Sequence, residues 1–309
     1  MKVSVVMSTY NGAAYLRDQL ESLKRQTRQP DEVIILDDCS TDDTEQLIRK
    51  FIEKNHLDNW VFERNIHNQG WQMNFVNGII KSTGEIIFTC DQDDIWIENK
   101  IERMLSILEK NPEILLLAGD YKILEEDTAG KFVEKTVFDS NGLIEKKRFD
   151  EKFFYVQRPG CVFAFRRELW EIARKYTFKN NPHDALLWRT AITLGRLYLF
   201  HSPVIFWRRH KKAQTNGVRP SREKMLEWFI YVKNVVKSLQ HLLDENNVDE
   251  KDKKKKLINC FEKVIEKRQL AYQKKNPFFQ IQTWRYYRYY PTNKSVLGET
   301  LRITKMMIK

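Results

Sequence analysis

The sequence predicts an α/β fold: a mostly parallel sheet flanked by helices, with a helical extension at its C-terminal end. Two patterns carry this prediction. Over the first 110 residues, short apolar runs rich in Val and Ile alternate with stretches whose apolar residues recur at helical spacing, and strands alternating with helices pack as a parallel sheet covered on both faces. After residue 220, two long stretches keep the 3.6-residue period with no strand between them. The composition agrees. With 309 residues, 42% of them hydrophobic and both charge signs interspersed, the chain is not collagenous, low-complexity or disordered, and it can bury a sizeable core.

Taken in order, Lys2 to Met7 is a β-branched run closed by Ser8-Thr9-Tyr10-Asn11-Gly12, and Leu16, Leu20 and Leu23 then share one helix face. Val33 to Leu36 ends in Asp37-Asp38-Cys39-Ser40, where Ser40 or Thr41 could cap a helix carrying Leu47, Ile48, Phe51 and Ile52. A third run, Val61 to Phe62, precedes the loop Asn65 to Gly70, and the helix around Phe75 to Ile80 leads to a fourth run, Ile86 to Thr89. From 115 to 210 the pattern loosens, with strand-like runs at Ile114 to Ala118, Cys161 to Phe165, Leu197 to Phe200 and Val204 to Phe206. Between them, Phe132 to Phe154 mixes charges with aromatics and reads as an insertion or flexible loop. Residues 221–245 and 250–275 read as helices, Phe278 to Tyr290 as an aromatic segment broken by Pro291, and a last short segment carries Leu297, Leu301, Met306, Met307 and Ile308. The expected organisation is one α/β domain in two halves, 1–110 and 111–220, followed by a basic helical extension at 221–309.

Charge is unevenly placed. Residues 1–220 hold 33 Lys+Arg against 32 Asp+Glu, whereas 221–309 hold 20 against 10. A neutral body with a basic tail suggests a segment that meets an anionic surface, or a solvated helical pair whose lysines keep the chain soluble. In Trp284-Arg285-Tyr286-Tyr287-Arg288-Tyr289-Tyr290, rings interleaved with arginines suit a membrane interface. The same rings could instead pack the tail onto the body or onto a second copy of the chain. Nucleic acid is a disfavoured partner, because no recognition fold accompanies the run and the N-terminal acids would repel a phosphate backbone. Cys39, Cys90, Cys161 and Cys260 form no CxxC pair, which excludes the usual zinc patterns and fits a reducing setting. The run Val3 to Met7 is too short for a signal peptide or a membrane span. The expected location is cytoplasmic, or peripheral on the inner face of the cell membrane.

In parallel sheets, ligands bind beyond the carboxyl ends of the strands, so the polar clusters after Met7, Leu36 and Thr89 should share one crevice. Asp91-Gln92-Asp93-Asp94 is the sharpest of them. Carboxylates crowded at a strand end repel one another unless a cation neutralises them, and oxygen-rich ligation favours Mg²⁺ or Mn²⁺ bound together with a diphosphate. The alternative is a helix N-terminus decorated with acids. Asp37-Asp38 could likewise accept from a nucleobase N–H or a ribose hydroxyl, or cap a helix.

These segments, in this order, resemble the family 2 glycosyltransferases, inverting enzymes of the GT-A fold. Val3 to Gly12 looks like the opening strand and loop of that family, and Glu32 to Thr44 like its nucleotide-binding turn, with Cys39 where Gly or Asn is usual. Asn68-Gln69-Gly70 with Asn74 and Gly78 is similar to the next signature, and Asp91-Gln92-Asp93-Asp94 to the metal-binding DxD region. The resemblance implies that Ser8, Thr9, Tyr10, Asn11, Asp38, Asn68, Gly70 and Asp91 bind the nucleotide. It implies a metal on Asp91, Asp93 and Asp94, with either Asp91 and Asp93 or Asp93 and Asp94 as the working pair, and His210 could complete the metal shell or bind the leaving phosphate. Gly160 to Phe165 resembles the strand on the acceptor side, where Trp96, Gly160, Cys161 and His183 are expected. His183-Asp184 before an apolar helix is where the family places its catalytic carboxylate, and Asp184 is the residue so implied. Trp207-Arg208-Arg209-His210 resembles a basic motif of bacterial rhamnosyltransferase-like members, with Arg208 or Arg209 on the diphosphate.

The chemistry of Asp184 also stands without the resemblance. Transfer to a hydroxyl needs a base for the acceptor proton, and one carboxylate opposite the diphosphate gives a single displacement with inversion. The competing reading of Asp184 is a helix N-cap after Pro182. The expected function is metal-dependent transfer of a sugar from dTDP-rhamnose or a UDP-sugar to a glycan or lipid-linked glycan in cell-surface polysaccharide synthesis. The alternatives are nucleotidyl transfer on the same scaffold and a non-enzymatic basic adaptor for lipid or nucleic acid.

Overall fold

A computed structural model describes residues 1–127, 131–210 and 220–308, with the side chains of Asn293 and Ile308 excepted. The junction between the expected body and extension, 211–219, lies outside the described residues. The first half follows the apolar runs: β1 (Val3–Thr9), α1 (Ala13–Lys24), β2 (Glu32–Asp37), α2 (Thr44–Lys54), β3 (Trp60–Arg64), α3 (Trp71–Lys81), β4 (Ile86–Asp91), β5 (Ile95–Trp96) and α4 (Lys100–Lys110). β1 and β4 are buried almost end to end, as strands covered on both faces must be. Gly78 lets α3 lie close on this sheet, since a Cβ there would come within 2.4 Å of Val6 Cγ1.

The second half contributes β6 (Leu116–Glu126), β7 (Phe132–Thr136), β8 (Ile144–Lys146), β9 (Phe163–Arg166), α5 (Arg167–Ala173), α6 (His183–Leu194) and β10 (Leu197–Arg209). The described strands form one sheet in the order β3-β2-β1-β4-β9-β6-β10-β5, with β7 on β6 and β8 on β10. β9 runs antiparallel between β4 and β6, while β3, β2, β1 and β4 are mutually parallel and β10 is parallel to β6. The expected insertion at 132–154 therefore supplies two strands to the sheet. Its strands sit at the margin with mostly exposed side chains, which is why they lack the apolar alternation of a half-buried strand. The two runs Leu197 to Phe200 and Val204 to Phe206 are one strand, β10, with register shifts on either side of Pro203.

The extension comprises α7 (Arg222–Glu245), α8 (Lys251–Lys274), α9 (Pro277–Ile281) and α10 (Asn293–Ile308). It has its own apolar cluster, including Phe229, Val236, Phe261, Tyr272, Tyr290 and Ile303. Phe153 and Phe154, from the body, are buried in that cluster. The aromatic run divides: Tyr289 and Tyr290 turn inward, whereas Phe278, Trp284 and Tyr287 are 61%, 45% and 44% exposed. Beneath it, Arg268 makes a buried two-pronged ion pair with Glu299 at 2.9 and 3.0 Å, and the guanidinium lies over the rings of Trp228, Phe229 and Tyr290. Among the described residues, no helix is long and apolar enough to cross a membrane.

Candidate active site

Strand register gathers the polar clusters. Ser8 pairs with Asp91 across β1 and β4, and Thr9 with Asp37 across β1 and β2. Asp37 is buried and accepts from Thr9 Oγ1 at 2.9 Å and from the Ser40 N–H at 2.8 Å. Ser40 is thus held by Asp37, and neither it nor Thr41 caps α2. The Asp42 carboxylate accepts from the Thr44 N–H instead. Asp38, 1% exposed, binds the loop opposite: its oxygens accept from the backbone N–H groups of Gln69 and Gly70, both at 2.8 Å, and from Asn65 Nδ2 at 2.9 Å. Asn68 lies exposed on this loop and donates to the Asp38 carbonyl, and Gly70 adopts φ +86°. Buried Asn74 ties the pieces together by donating to Ser8 Oγ and to the Leu36 carbonyl, both at 2.7 Å. Tyr10 and Asn11 remain exposed at the mouth.

The Asp91-to-Asp94 turn is pinned to the first loop by Gln92, whose amide exchanges two hydrogen bonds with the Tyr10 backbone, at 2.8 and 3.0 Å. Gly12 is needed for this approach, since a Cβ there would overlap the Gln92 amide. Asp91 and Asp93 are partly exposed, whereas Asp94 is fully buried and accepts from the Arg208 N–H at 3.1 Å. Burial, then neighbouring Asp91 and Asp93, raise the Asp94 carboxyl well above the carboxylate range. Asp94 is thus the most enclosed of the three acids expected to hold the metal. Asp91 is pushed up to about 7, by burial first and then by Asp93 and Asp184.

Asp184 stands in the first turn of α6, where Pro182 occupies the N-cap position. Its Oδ1 accepts from the Ala185 N–H at 2.7 Å, and no hydrogen bond to Oδ2 is made among the described residues. Gly160 presses against it: a Cβ at Gly160 would lie 3.0 Å from Asp184 Cβ and 3.4 Å from His183 Nε2. His183 is buried, stacked on Phe75 at 4.2 Å and edge-on to Trp71 at 6.0 Å, and burial lowers its pKa. A neutral imidazole walls this side.

Two expected acceptor-side residues do not line the crevice. Trp96 is 2% exposed because β5 pairs with β10 and turns the indole into the core, and Cys161 is 1% exposed in the short 3-10 turn just before β9. Both surround a residue the sequence reading missed. Lys100 is fully buried, donates to the Cys161 carbonyl at 2.7 Å and lies 3.3 Å from the Trp96 ring centroid. Burial brings its pKa down to about 8 against the opposing pull of Asp94 and Asp91, and it supplies internal positive charge beneath the acids. Nothing in a lone helical lysine signals this.

From β10, His210 Nε2 meets Asp93 Oδ2 at 3.0 Å, with its ring 4.3 Å from Tyr15. Arg208 is already engaged: it is 5% exposed, bonds Asp18 at 2.8 Å and is enclosed by Tyr15 and Phe132. Arg209 is exposed beside Trp207. Ligand atoms of Asp91, Asp94 and Cys161 lie within 4.8 Å of one another and could hold a metal ion. The thiol is a poor match for a hard cation. Asp91 and Asp93, with His210 beside them, fit Mg²⁺ or Mn²⁺ better, because they reach solvent and their mutual repulsion, visible in the raised Asp91 pKa, is what a divalent ion relieves.

A mostly parallel sheet that collects acids at its strand ends, facing a carboxylate in the first turn of a helix, is the arrangement of a GT-A glycosyltransferase. Residues 4–173 match Glycosyl transferase family 2, and the chain belongs to that family. An uncharacterized glycosyltransferase of Rickettsia typhi is 26% identical over 247 residues, covering 76% of this chain and 73% of the relative. The Escherichia coli UDP-Glc:alpha-D-GlcNAc-diphosphoundecaprenol beta-1,3-glucosyltransferase WfgD is 28% identical over 46% of this chain and 55% of its own. Staphylococcus aureus TarS 1–349, solved with UDP-GlcNAc, superposes with a TM-score of 0.63 at 18% identity, over 98% of this chain and 81% of that one. The enzyme is a glycosyltransferase, which sets aside the nucleotidyltransferase and adaptor alternatives.

Proposed function

We propose that this enzyme moves a sugar from a UDP-sugar to a hydroxyl of a glycan or lipid-linked glycan, with inversion, and that Asp184 is the base. What supports this reading is packing: Gly160 presses against Asp184, and the adjacent Cys161 comes within 4.8 Å of the Asp91 carboxylate, so the helix-borne acid neighbours the strand end that carries Asp91. The nucleotide would rest on Ser8, Tyr10 and the Asn65 to Gly70 loop, with Asn11 and Asn68 at its rim and Asp38 and Thr9 shaping it from below. Asp91, Asp93 and His210 would hold Mg²⁺ or Mn²⁺, which when bound stabilises charge on the diphosphate leaving group. Exposed Arg209 is the better placed of the two arginines to meet that diphosphate, since Arg208 already serves Asp18. Asp184 Oδ1 is held by the Ala185 N–H, leaving Oδ2 to take the acceptor proton. Gly160 and His183 confine the acceptor beside it.

The UDP-sugar choice is supported by the TarS complex and by the donor in the name of the E. coli relative; dTDP-rhamnose is the competitor. A thermal-shift panel of nucleoside diphosphates with and without Mn²⁺ tests donor and metal together, and a flat panel refutes both. Asp184→Asn should abolish transfer while leaving UDP binding intact, and loss of binding would make Asp184 structural. A second reading concerns the tail. Exposed Phe278, Trp284 and Tyr287 beside Arg285 and Arg288 support peripheral attachment to an anionic membrane.

A further inference from the structure

Beside the catalytic crevice lies a cavity of about 860 Å³ between α3 and the segment running from Trp170 to Asn181. The helical period divides α3 between two tasks. Phe75 and Trp71 face His183, whereas Met73, Val76 and Ile80 line the cavity opposite Trp170 and Phe178. Met73 and Ile80 are 49% and 58% exposed, large apolar side chains that no described residue covers. Arg174, Lys175 and Lys179 also line it. The cavity reaches the active site at one end: Gln69 belongs to its wall and also donates its backbone N–H to Asp38, and Asn181 stands three positions before Asp184.

We propose that this groove binds the isoprenoid arm of a lipid-linked acceptor, with the attached phosphates meeting Arg174, Lys175 and Lys179. The inference rests on the glycosyl-transfer reading above. An apolar floor does not suit a sugar or a nucleotide, and it runs the length of α3, roughly 16 Å for eleven residues. A hydrocarbon chain matches that floor, and the cations complement a phosphate-bearing head at the same surface. With its head toward the Asn181 end, such a molecule would present its first sugar to Asp184. Apart from Gln69 at the shared end, the residues lining the groove are not those that would hold the nucleotide.

The full chain is titrated with a dansylated farnesyl diphosphate, and farnesyl diphosphate, farnesol and inorganic diphosphate serve as competitors. Farnesyl diphosphate should compete best, farnesol partly and inorganic diphosphate hardly at all. Met73→Glu and Ile80→Glu alter exposed positions and should keep the fold and the UDP thermal shift while weakening the probe about tenfold or more. Lys175→Glu with Lys179→Glu should weaken farnesyl diphosphate but leave farnesol unchanged. Equal competition by inorganic diphosphate, or unchanged probe affinity in the α3 variants, overturns the proposal. So does a change in mass by light scattering in those variants without a change in probe binding, which would make the face a contact between copies. Absence of any nucleoside-diphosphate shift in the unmodified protein would overturn the underlying reading instead, independently of the probe.

Discussion

Replacing Gly160 by alanine should damage catalysis while sparing nucleotide binding. The added methyl would sit 3.0 Å from Asp184 Cβ and 3.4 Å from His183 Nε2, against ordinary carbon contacts of about 3.5–4.0 Å. The neighbours have little room to yield. His183 is stacked on Phe75 at 4.2 Å, and the Gly160 carbonyl accepts from Thr89 Oγ1 at 2.6 Å, so most of the adjustment, roughly 0.5–1 Å, falls on Asp184. A displacement near 1 Å at a reacting group can cost about 10²-fold, so kcat should fall about 10- to 100-fold, equivalent to roughly 1.4–2.7 kcal/mol. UDP release from the donor in the presence of acceptor reports kcat, and calorimetric titration with UDP reports binding. Gly298→Ala is the control, because a Cβ there meets nothing within 4 Å in the interior of α10; it should leave kcat alone and stabilise by about 0.5–1 kcal/mol. A kcat within about twofold of the original, or a parallel loss of UDP affinity, would refute the reasoning.

Asp91 sets a pH dependence. Its folded pKa of about 7 lies above the unfolded value of about 3.9, so the folded state holds the extra proton between them and stability should decline as pH rises through that window, levelling off above it. In EDTA, Asp91→Asn should flatten this slope in urea unfolding curves, and an unchanged slope contradicts the assignment. Glu299→Gln strands the buried Arg268 guanidinium and should cost about 3–5 kcal/mol, read as a lower Tm; replacing both residues by Met should recover most of it, and a Glu299→Gln variant melting like the original would count against the pair. Phe278→Ser with Tyr287→Ser removes two largely exposed rings and should reduce flotation with anionic liposomes without altering Tm. Unchanged flotation would remove the attachment reading.

What could be read in the sequence follows burial. The β1 to β4 runs are largely interior strands whose apolar residues are dictated by the sheet they build, and their polar ends stand where a chain leaves a core, so Ser8 and Asp91 could be placed at one sheet edge from one dimension. β7 and β8 pair at margins where side chains meet water, so no pattern marks them. Pro203 interrupts β10 with register shifts that split its apolar run in two. The inward turn of Asp94 depends on its bond to the Arg208 backbone, more than a hundred residues away in sequence. Lys100 reads as a surface lysine until Trp96, Cys161 and the acids close around it. In the tail the aromatic run divides: Tyr289 and Tyr290 pack inward, as one of its readings expected, while Phe278, Trp284 and Tyr287 stay largely exposed.

Phe153 and Phe154 insert into the C-terminal helical cluster only a few residues before Gly160, so the two parts are not interchangeable modules. A chimera that grafts this catalytic domain onto another protein's tail would need a matching aromatic socket, or the polypeptide leading to Gly160 would lose its mooring. Donor-swapping designs should therefore be built by exchanging loops at the β1 to β4 edge, keeping the native C-terminal helices in place.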